Sequence, residues 1–278
     1  MANGKSAASP WDSPIFQPLL HEAGLAAQTL CTGLTTLRKA NYQQTEKYYA
    51  GFFSYTIGLE RVMKLTVLLD ALVTDGKFPS DQQLKNAYGH DLNKLLRAVR
   101  EIRAKHEPSD FRWKLPHPDI IDDAVKFLAE FARTTRYYNL DVLSGKAPSL
   151  DPVARWFQAV GKPLLEMRPA RQTLRNADKA STVGKLLEGK IIIRSITEDG
   201  TPVNSAEEAA IAEHNSEHVA KEGTFLCTAL ARYVIEVLRH RGYAARGAGH
   251  AIPEFGDFFA LFNNDDALLK NRRSFVVR

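Results

Sequence analysis

The stretch FFSYTIGLERVMKLTVLLDALV, residues 52–73, decides the fold of this chain. Its apolar residues recur in steps of three and four, the spacing that places side chains on one buried face of an α-helix. Glu60 and Lys64 lie four residues apart, in the order that forms a favourable ion pair on a helix surface. The stretch is followed by Thr74-Asp75-Gly76, and Gly76 is suited to a left-handed helix cap. We therefore predict a long helix with one buried face.

Helical periodicity continues on both sides of this stretch. One helix is predicted over residues 18–44, and another opens at Asp91, a suitable N-cap, and ends before Pro108. A further helix is predicted over residues 119–143, where apolar residues again repeat at helical spacing. Short connections between successive helices are typical of antiparallel packing. The sequence thus predicts an antiparallel helical bundle over residues 1–147.

The remaining residues, 148–278, predict a second region that is also mainly helical. Residues 205–241 are typical of one long helix or two shorter ones, and Ser205 and Glu208 have the spacing of a capping box at its start. The β-branched run Lys190–Arg194 is the one stretch that favours a strand. The predicted fold class is therefore mostly α, a helical bundle followed by a mainly helical region with at most a short strand.

Composition places the chain among ordinary globular proteins. It has 278 residues, of which 44% are hydrophobic and 25% charged, so it can bury a core without a disulfide or metal staple. Two cysteines exclude a disulfide framework. No run of about 18 uncharged apolar residues is present, and the first residues lack the apolar core of a signal peptide. We expect a cytoplasmic protein with no membrane partner, no cofactor and no bound metal.

Positive charge is concentrated in one segment. The net charge is +5, and residues 168–194 contain seven basic and two acidic residues, so this segment accounts for the whole excess. A basic segment of this density attracts phosphate groups, although such runs also occur on solvated helix faces. The candidate nucleic-acid-binding residues are Arg168, Arg171, Arg175, Lys179, Lys185, Lys190 and Arg194.

A possible zinc motif lies near the start of the long C-terminal helix. His214-Asn-Ser-Glu217-His218 has the H-x-x-E-H spacing of inverted zincins. Residues four apart lie on one helix face, so the two imidazoles could share a zinc ion while Glu217 activates its bound water. No third ligand stands in a recognisable context further along the sequence. The polar neighbours favour the alternative interpretation, a solvated helix face.

Three other stretches, taken together, resemble a known family. They are Gly58-Leu-Glu60-Arg61-Val-Met-Lys64-Leu, Tyr88-Gly89-His90-Asp91-Leu92 and Ala132-Arg133-Thr-Thr-Arg136-Tyr137-Tyr138-Asn139. Their order is similar to that of HEPN proteins, the higher-eukaryote and prokaryote nucleotide-binding bundles. The resemblance covers about residues 45–145. It implies a helical bundle that pairs as a homodimer, acts on RNA and serves in a toxin or phage-defence context.

Many HEPN proteins are metal-independent ribonucleases whose signature is an Arg followed, four to six residues later, by a His. After Arg133, at the family-like position, this chain has Asn139 where that His would stand, and an amide takes up no proton at neutral pH. Arg100 and His106 have the same spacing near the end of the helix that opens at Asp91. For His90 we predict a structural role in the preceding turn. The candidate catalytic residues are Arg100, His106, Arg133 and Asn139.

Three functional hypotheses result. The first is a HEPN-like protein that binds nucleic acid, RNA in the first place, or an acidic partner, without catalysis of its own. The first alternative is a metal-independent HEPN-type endoribonuclease, in which a His moves protons and an Arg stabilises the phosphorane charge. The second alternative is a zinc-dependent hydrolase that uses His214, Glu217 and His218. The sequence leaves open whether the protein is an enzyme.

Overall fold

The computed structural model describes residues 9–146 and 150–277. The helices are, in chain order, α1 (Phe16–Leu37), α2 (Glu46–Asp75), α3 (Asp81–Ala87), α4 (Leu92–Ala104), α5 (Pro118–Arg133), α6 (Tyr138–Leu143), α7 (Pro152–Trp156), α8 (Lys162–Glu166), α9 (Ala170–Leu187), α10 (Ala206–Gly247), α11 (Phe255–Phe258) and α12 (Asp266–Asn271). A π-helical turn, Phe157–Gly161, joins α7 to α8. Two short antiparallel strands, β1 (Ser195–Ile196) and β2 (Pro202–Val203), form a hairpin. The mostly α fold class is confirmed.

Helix α2 lies at the centre of the molecule, with α1, α4, α5 and α10 packed against it. Its stripe of apolar residues is buried as predicted, and Phe52 is fully enclosed. The Phe52 ring packs against those of Phe127 and Trp156, with centroids 4.9 and 5.0 Å away. Gly76, with φ 71°, ends the helix in the left-handed conformation. The predicted helix and its cap are therefore confirmed.

Helices α1 and α2 approach each other closely at glycine residues. A Cβ atom at Gly33 would stand 2.5 Å from the backbone nitrogen of Tyr55, and one at Gly58 would stand 2.6 Å from the backbone nitrogen of Leu30. The backbone of the facing helix thus occupies the space of a side chain. Since residue 33 faces 55 while 30 faces 58, the two helices run antiparallel. None of the described helices is both long and apolar enough to cross a membrane.

Helix α10 packs the second predicted region onto the first. Its central residues are buried against α1, α2 and α4, and the Tyr55 hydroxyl donates a hydrogen bond to the Cys227 carbonyl (2.7 Å). Burial raises the pKa of the Cys227 thiol to about 12, so this cysteine is an inert core residue. Ser205 begins the helix with the predicted capping box. One continuous hydrophobic core contains residues from both sides of position 147.

The β-hairpin is fixed to the helices by a buried carboxyl group. Glu198 lies between β1 and β2 and is 5% exposed. Its Oε1 accepts hydrogen bonds from the hydroxyls of Tyr48 on α2 (3.1 Å) and Ser216 on α10. Burial raises the pKa of Glu198, with the donated bonds opposing that rise. This contact ties α2, α10 and the hairpin together.

Three elements differ from the sequence predictions. The helix predicted over residues 18–44 ends at Leu37, where Lys39 and Ala40 donate to carbonyls three residues back and close the chain into turns. Lys190–Arg194 is not a strand: Ile192 is 90% exposed, and no strand of the described residues pairs with the run. A β-branched run forms a stable strand only where a partner supplies hydrogen bonds. The helix predicted over 119–143 breaks at Thr134, whose hydroxyl donates to the Glu130 carbonyl (3.0 Å) and so competes with the helical ladder.

Candidate nucleic-acid interface

Helix α9 lies on the surface and contacts α10 along one side. Ala180 is the buried residue of α9, and Gly184 stands against Glu207 of α10. At 3.6 residues per turn, Ala180 and Gly184 define the inner side of the helix. The opposite side faces away from the protein.

The outward side of α9 carries most of the predicted basic residues. Arg171, Arg175 and Lys179 follow at steps of four, and Lys185 falls on the same side; all four are exposed. Asp178 is the acidic residue among them. Within residues 9–146 and 150–277, no carboxylate forms an ion pair with these four cations. The outward side of α9 therefore presents an uncompensated positive charge.

Apolar side chains accompany this charge. Leu174 and Leu186 lie on the same side of α9 and are 67% and 64% exposed. Ammonium and guanidinium groups bind phosphate, while apolar side chains can contact exposed bases or a partner protein. The combination of cations and exposed leucines on α9 fits a surface that binds a ligand with both negative charges and apolar groups.

The other three predicted cations have different surroundings. Arg168, just before α9, is half-buried and donates to Oδ1 of Asn215 on α10 (2.9 Å). Burial lowers the pKa of its guanidinium. Lys190 donates to the Leu186 carbonyl (2.8 Å), and Arg194 is exposed before β1. Arg168 therefore helps to fasten α9 to α10, whereas Arg194 remains at the surface.

A second basic surface is a groove of about 680 Å³ between α1, α2 and the end of α5. All three stretches that carry the HEPN resemblance contribute to it. The charged and titratable residues of its lining are Glu22, Glu60, Arg61, Lys64, His90, Arg133 and Arg136. Tertiary packing thus brings together residues that the sequence keeps far apart.

Glu60 organises the floor of this groove. Its Oε1 accepts a hydrogen bond from Nδ1 of His90 (2.9 Å) and pairs with Nζ of Lys64 (2.7 Å). Because a carboxylate only accepts, the proton of the His90 bond lies on Nδ1, and Nε2 remains available to a ligand. Asp91 is the N-cap of α4, as predicted, accepting from two backbone N–H groups. His90 therefore has a side-chain partner besides its place in the turn.

Arginines surround the Glu60–His90 pair. Arg61 is neutralised by Glu22, with both carboxylate oxygens within 2.7 Å of Nη1. Arg133 lies 3.6 Å from the carboxylate of Asp91. Arg136 forms no ion pair with any carboxylate that the structure describes. Arg133 and Arg136 are thus the cations best placed to meet an anion in the groove.

The predicted catalytic residues do not form one site. Arg133 lines the groove, whereas Asn139 lies outside its lining, on α6. Arg100 and His106 border a different surface depression, where Arg100 is paired with a carboxylate of α5. Nε2 of His106 accepts a hydrogen bond from Arg241 (3.0 Å). Sequence reasoning missed Glu60 and Arg136 as site residues because their only signal was the weak resemblance.

The possible zinc motif is not assembled either. Nε2 of His218 donates to the Leu164 carbonyl (3.2 Å), and burial lowers the pKa of this imidazole. Glu217 lies 3.7 Å from Arg273. In the part of the chain that the structure describes, no third ligand joins His214 and His218. The zinc-hydrolase alternative therefore gains no support from the geometry.

Comparisons with known protein families, with curated proteins and with solved structures found no match for this chain. The HEPN resemblance therefore stays a prediction from the sequence. What the structure adds is that the three resembling stretches meet in one groove.

Proposed function

We propose that this protein binds nucleic acid, with RNA as the preferred ligand, through the outward side of α9. It does so without catalysis of its own. The supporting observation is the uncompensated charge of Arg171, Arg175, Lys179 and Lys185 on a helix held by its other side. Phosphate binding by such cations releases counterions, so affinity should fall steeply with salt. The homodimer that the HEPN resemblance implies belongs to this proposal and is tested by light scattering.

The test measures binding of a labelled single-stranded RNA by fluorescence anisotropy, in EDTA, over a series of KCl concentrations. The variant replaces Arg171, Arg175, Lys179 and Lys185 with Gln. Each lost phosphate contact on a single strand reduces the log–log salt slope by about 0.7, so we expect a decrease of up to about 3. The same RNA sequence as DNA reports on the preference between the two.

A matched control removes the same charge elsewhere. Lys77, Lys85, Lys94 and Arg97 are exposed cations outside α9, and replacing them with Gln should leave the salt slope nearly unchanged. Equal losses in both variants would show that net charge alone drives binding. No RNA or DNA binding by the wild type, with capture of an acidic protein instead, would favour the acidic-partner alternative.

A second candidate function is metal-independent RNA cleavage in the groove. The observation that favours it is the Glu60–His90 hydrogen bond next to Arg133 and Arg136. Nε2 of His90 could take the proton of a ribose 2′-hydroxyl, whose oxygen then attacks the adjacent phosphorus. The phosphorus–oxygen bond to the 5′-oxygen of the next nucleotide breaks, giving a 2′,3′-cyclic phosphate, and the leaving 5′-oxygen takes a proton from water to become a 5′-hydroxyl. The arginines would stabilise the added negative charge.

Cleavage of labelled RNA in EDTA tests this candidate directly. We expect His90→Ala to abolish cleavage, and Glu60→Gln to reduce it about 10²- to 10⁴-fold, the range for a disturbed general base. His214→Ala is the matched control, since His214 lies outside the groove. RNA that stays intact with the wild type, at concentrations that saturate binding, would exclude this candidate and leave the binding function standing.

A further inference from the structure

Two histidines and one aspartate meet where the segment after α4 contacts α10. His106 and Asp110 follow α4, and His240 lies on α10. One ligand atom from each residue lies within 4.8 Å of the other two. The two imidazole rings pack with centroids 4.5 Å apart. This cluster is separate from the groove and from α9, and it joins two residues that lie four positions apart, His106 and Asp110, to His240, which follows 130 residues later.

The ring nitrogens of His240 lack hydrogen-bond partners among the residues that the structure describes. Its Nδ1 is buried and accepts or donates no hydrogen bond within residues 9–146 and 150–277. Its Nε2 stands 3.8 Å from Oδ2 of Asp110, which is too long for a hydrogen bond. Two ligands on one zinc ion, each bonded at about 2.0–2.1 Å, stand about 3.4 Å apart. The His240–Asp110 spacing is thus closer to that of two metal ligands than to that of a bonded pair.

His106 is held in the protonation state that metals require. A guanidinium only donates, so the bond from Arg241 to Nε2 of His106 (3.0 Å) shows a lone pair on that nitrogen. The charge of Arg241 is balanced by Asp70 of α2, with Nε and Oδ1 3.0 Å apart. His106 can therefore exchange its Arg241 bond for a metal bond while Arg241 keeps Asp70.

We propose that His106, Asp110 and His240 form a binding site for a divalent transition-metal ion such as zinc. Two imidazoles and a carboxylate are a ligand set that zinc accepts, with a fourth position left to water. Because the three ligand atoms already lie within 4.8 Å of one another, side-chain movements of roughly 1 Å would bring them to the bonding distances of one zinc ion. On α10, one turn before His240, Glu236 already accepts hydrogen bonds from the backbone nitrogens of Arg112 (2.7 Å) and Trp113 (3.2 Å). The metal would complete this attachment of the loop to α10.

Isothermal titration of the EDTA-treated, dialysed full chain with zinc chloride tests the site. We expect one zinc ion per chain for the wild type and at least tenfold weaker binding for His240→Ala and Asp110→Asn. Zinc should also raise the melting temperature of the wild type and not that of Asp110→Asn. Asp110 is exposed in its loop, so its isosteric replacement leaves the fold intact and keeps the test valid if His240→Ala is unstable.

The control is the His214→Ala/His218→Ala double variant, which removes the other histidine pair on α10. It should bind zinc as the wild type does. Zinc binding lost in this double variant, binding unchanged in Asp110→Asn, or no saturable binding by the wild type would each overturn the proposal.

Discussion

Helices α2 and α9 are both long, but α2 is buried in the core whereas α9 lies on the surface. Fourteen of the 30 residues of α2 are buried, whereas one of the 18 residues of α9 is. Helix α2 is surrounded by other helices, and α9 contacts α10 along a single side. The sequence of α2 is therefore constrained by packing. Most side chains of α9 are not needed for packing and are accessible to a binding partner.

The two helices also differ in how their charges are used. In α2, Glu60 pairs with Lys64 and also with His90 on the floor of the groove. In α9, Arg171 and Arg175 have no described carboxylate as a partner. Charge that is already paired contributes little to long-range attraction of a polyanion, whereas uncompensated charge contributes fully. This difference is why we place nucleic-acid binding on α9 first.

The largest expected change in the free energy of unfolding comes from a large-to-small substitution in the core around α2. Phe52→Ala should lower the free energy of unfolding by about 3–5 kcal/mol, because a fully buried ring packed on Phe127 and Trp156 is lost. Leu174→Ala on α9 should change it by less than about 0.5 kcal/mol, since this side chain is 67% exposed. Urea unfolding followed by circular dichroism measures both. Similar losses of unfolding free energy for Phe52→Ala and Leu174→Ala would contradict the difference in burial between α2 and α9.

A smaller effect should follow from adding one methyl group at a helix contact. Gly33→Ala places a Cβ atom 2.5 Å from the backbone of α2 and should cost about 1–3 kcal/mol of unfolding free energy. Gly184→Ala on α9 meets Cβ of Glu207 at 2.9 Å, but α9 can shift outward and gains helix propensity. We expect its cost to be below about 1 kcal/mol. A larger loss for Gly184→Ala would show that α9 is held more rigidly than its burial indicates.

The smallest expected effect concerns Glu198, which links α2 to the hairpin beyond α9. Burial raises the pKa of this carboxyl, so the folded protein favours its protonated form. Its contribution to stability is complete below the ordinary carboxyl pKa and is lost as the pH rises through the raised folded value. Glu198→Gln should therefore gain stability relative to the wild type as the pH rises from about 4 to 8. The test measures the melting temperatures of the wild type and of Glu198→Gln across this pH range. A difference between them that does not change with pH would refute the expectation.

Local patterns in the sequence were sufficient for many single elements. The stripe over residues 52–73, the cap at Gly76, the N-cap at Asp91 and the capping box at Ser205 all hold in the structure. Each depends on residues within a few positions of one another, so a single sequence contains the needed information. The same local view failed at Lys190–Arg194, because a strand depends on a partner that local sequence does not reveal.

The candidate sites required the tertiary structure. Glu60, His90 and Arg136 come from three separate elements, and their meeting depends on how α2, α4 and α5 pack. His106 and His240 are likewise joined only where the segment after α4 meets α10. No short-range spacing signals either cluster. The sequence pointed to the groove only through its resemblance to a family, and of the histidine cluster it singled out only His106, as a catalytic candidate.

The sequence by itself determined the mostly α fold, the long helix that Gly76 caps and the concentration of basic residues in 168–194. These follow from periodicity, capping chemistry and charge count, which are local or additive properties. Only the tertiary structure decided which side of α9 faces outward, that Arg168 fastens α9 to α10, and which distant side chains share a site. Burial and side-chain contact are set by how whole helices pack, and that packing involves residues far apart in the chain.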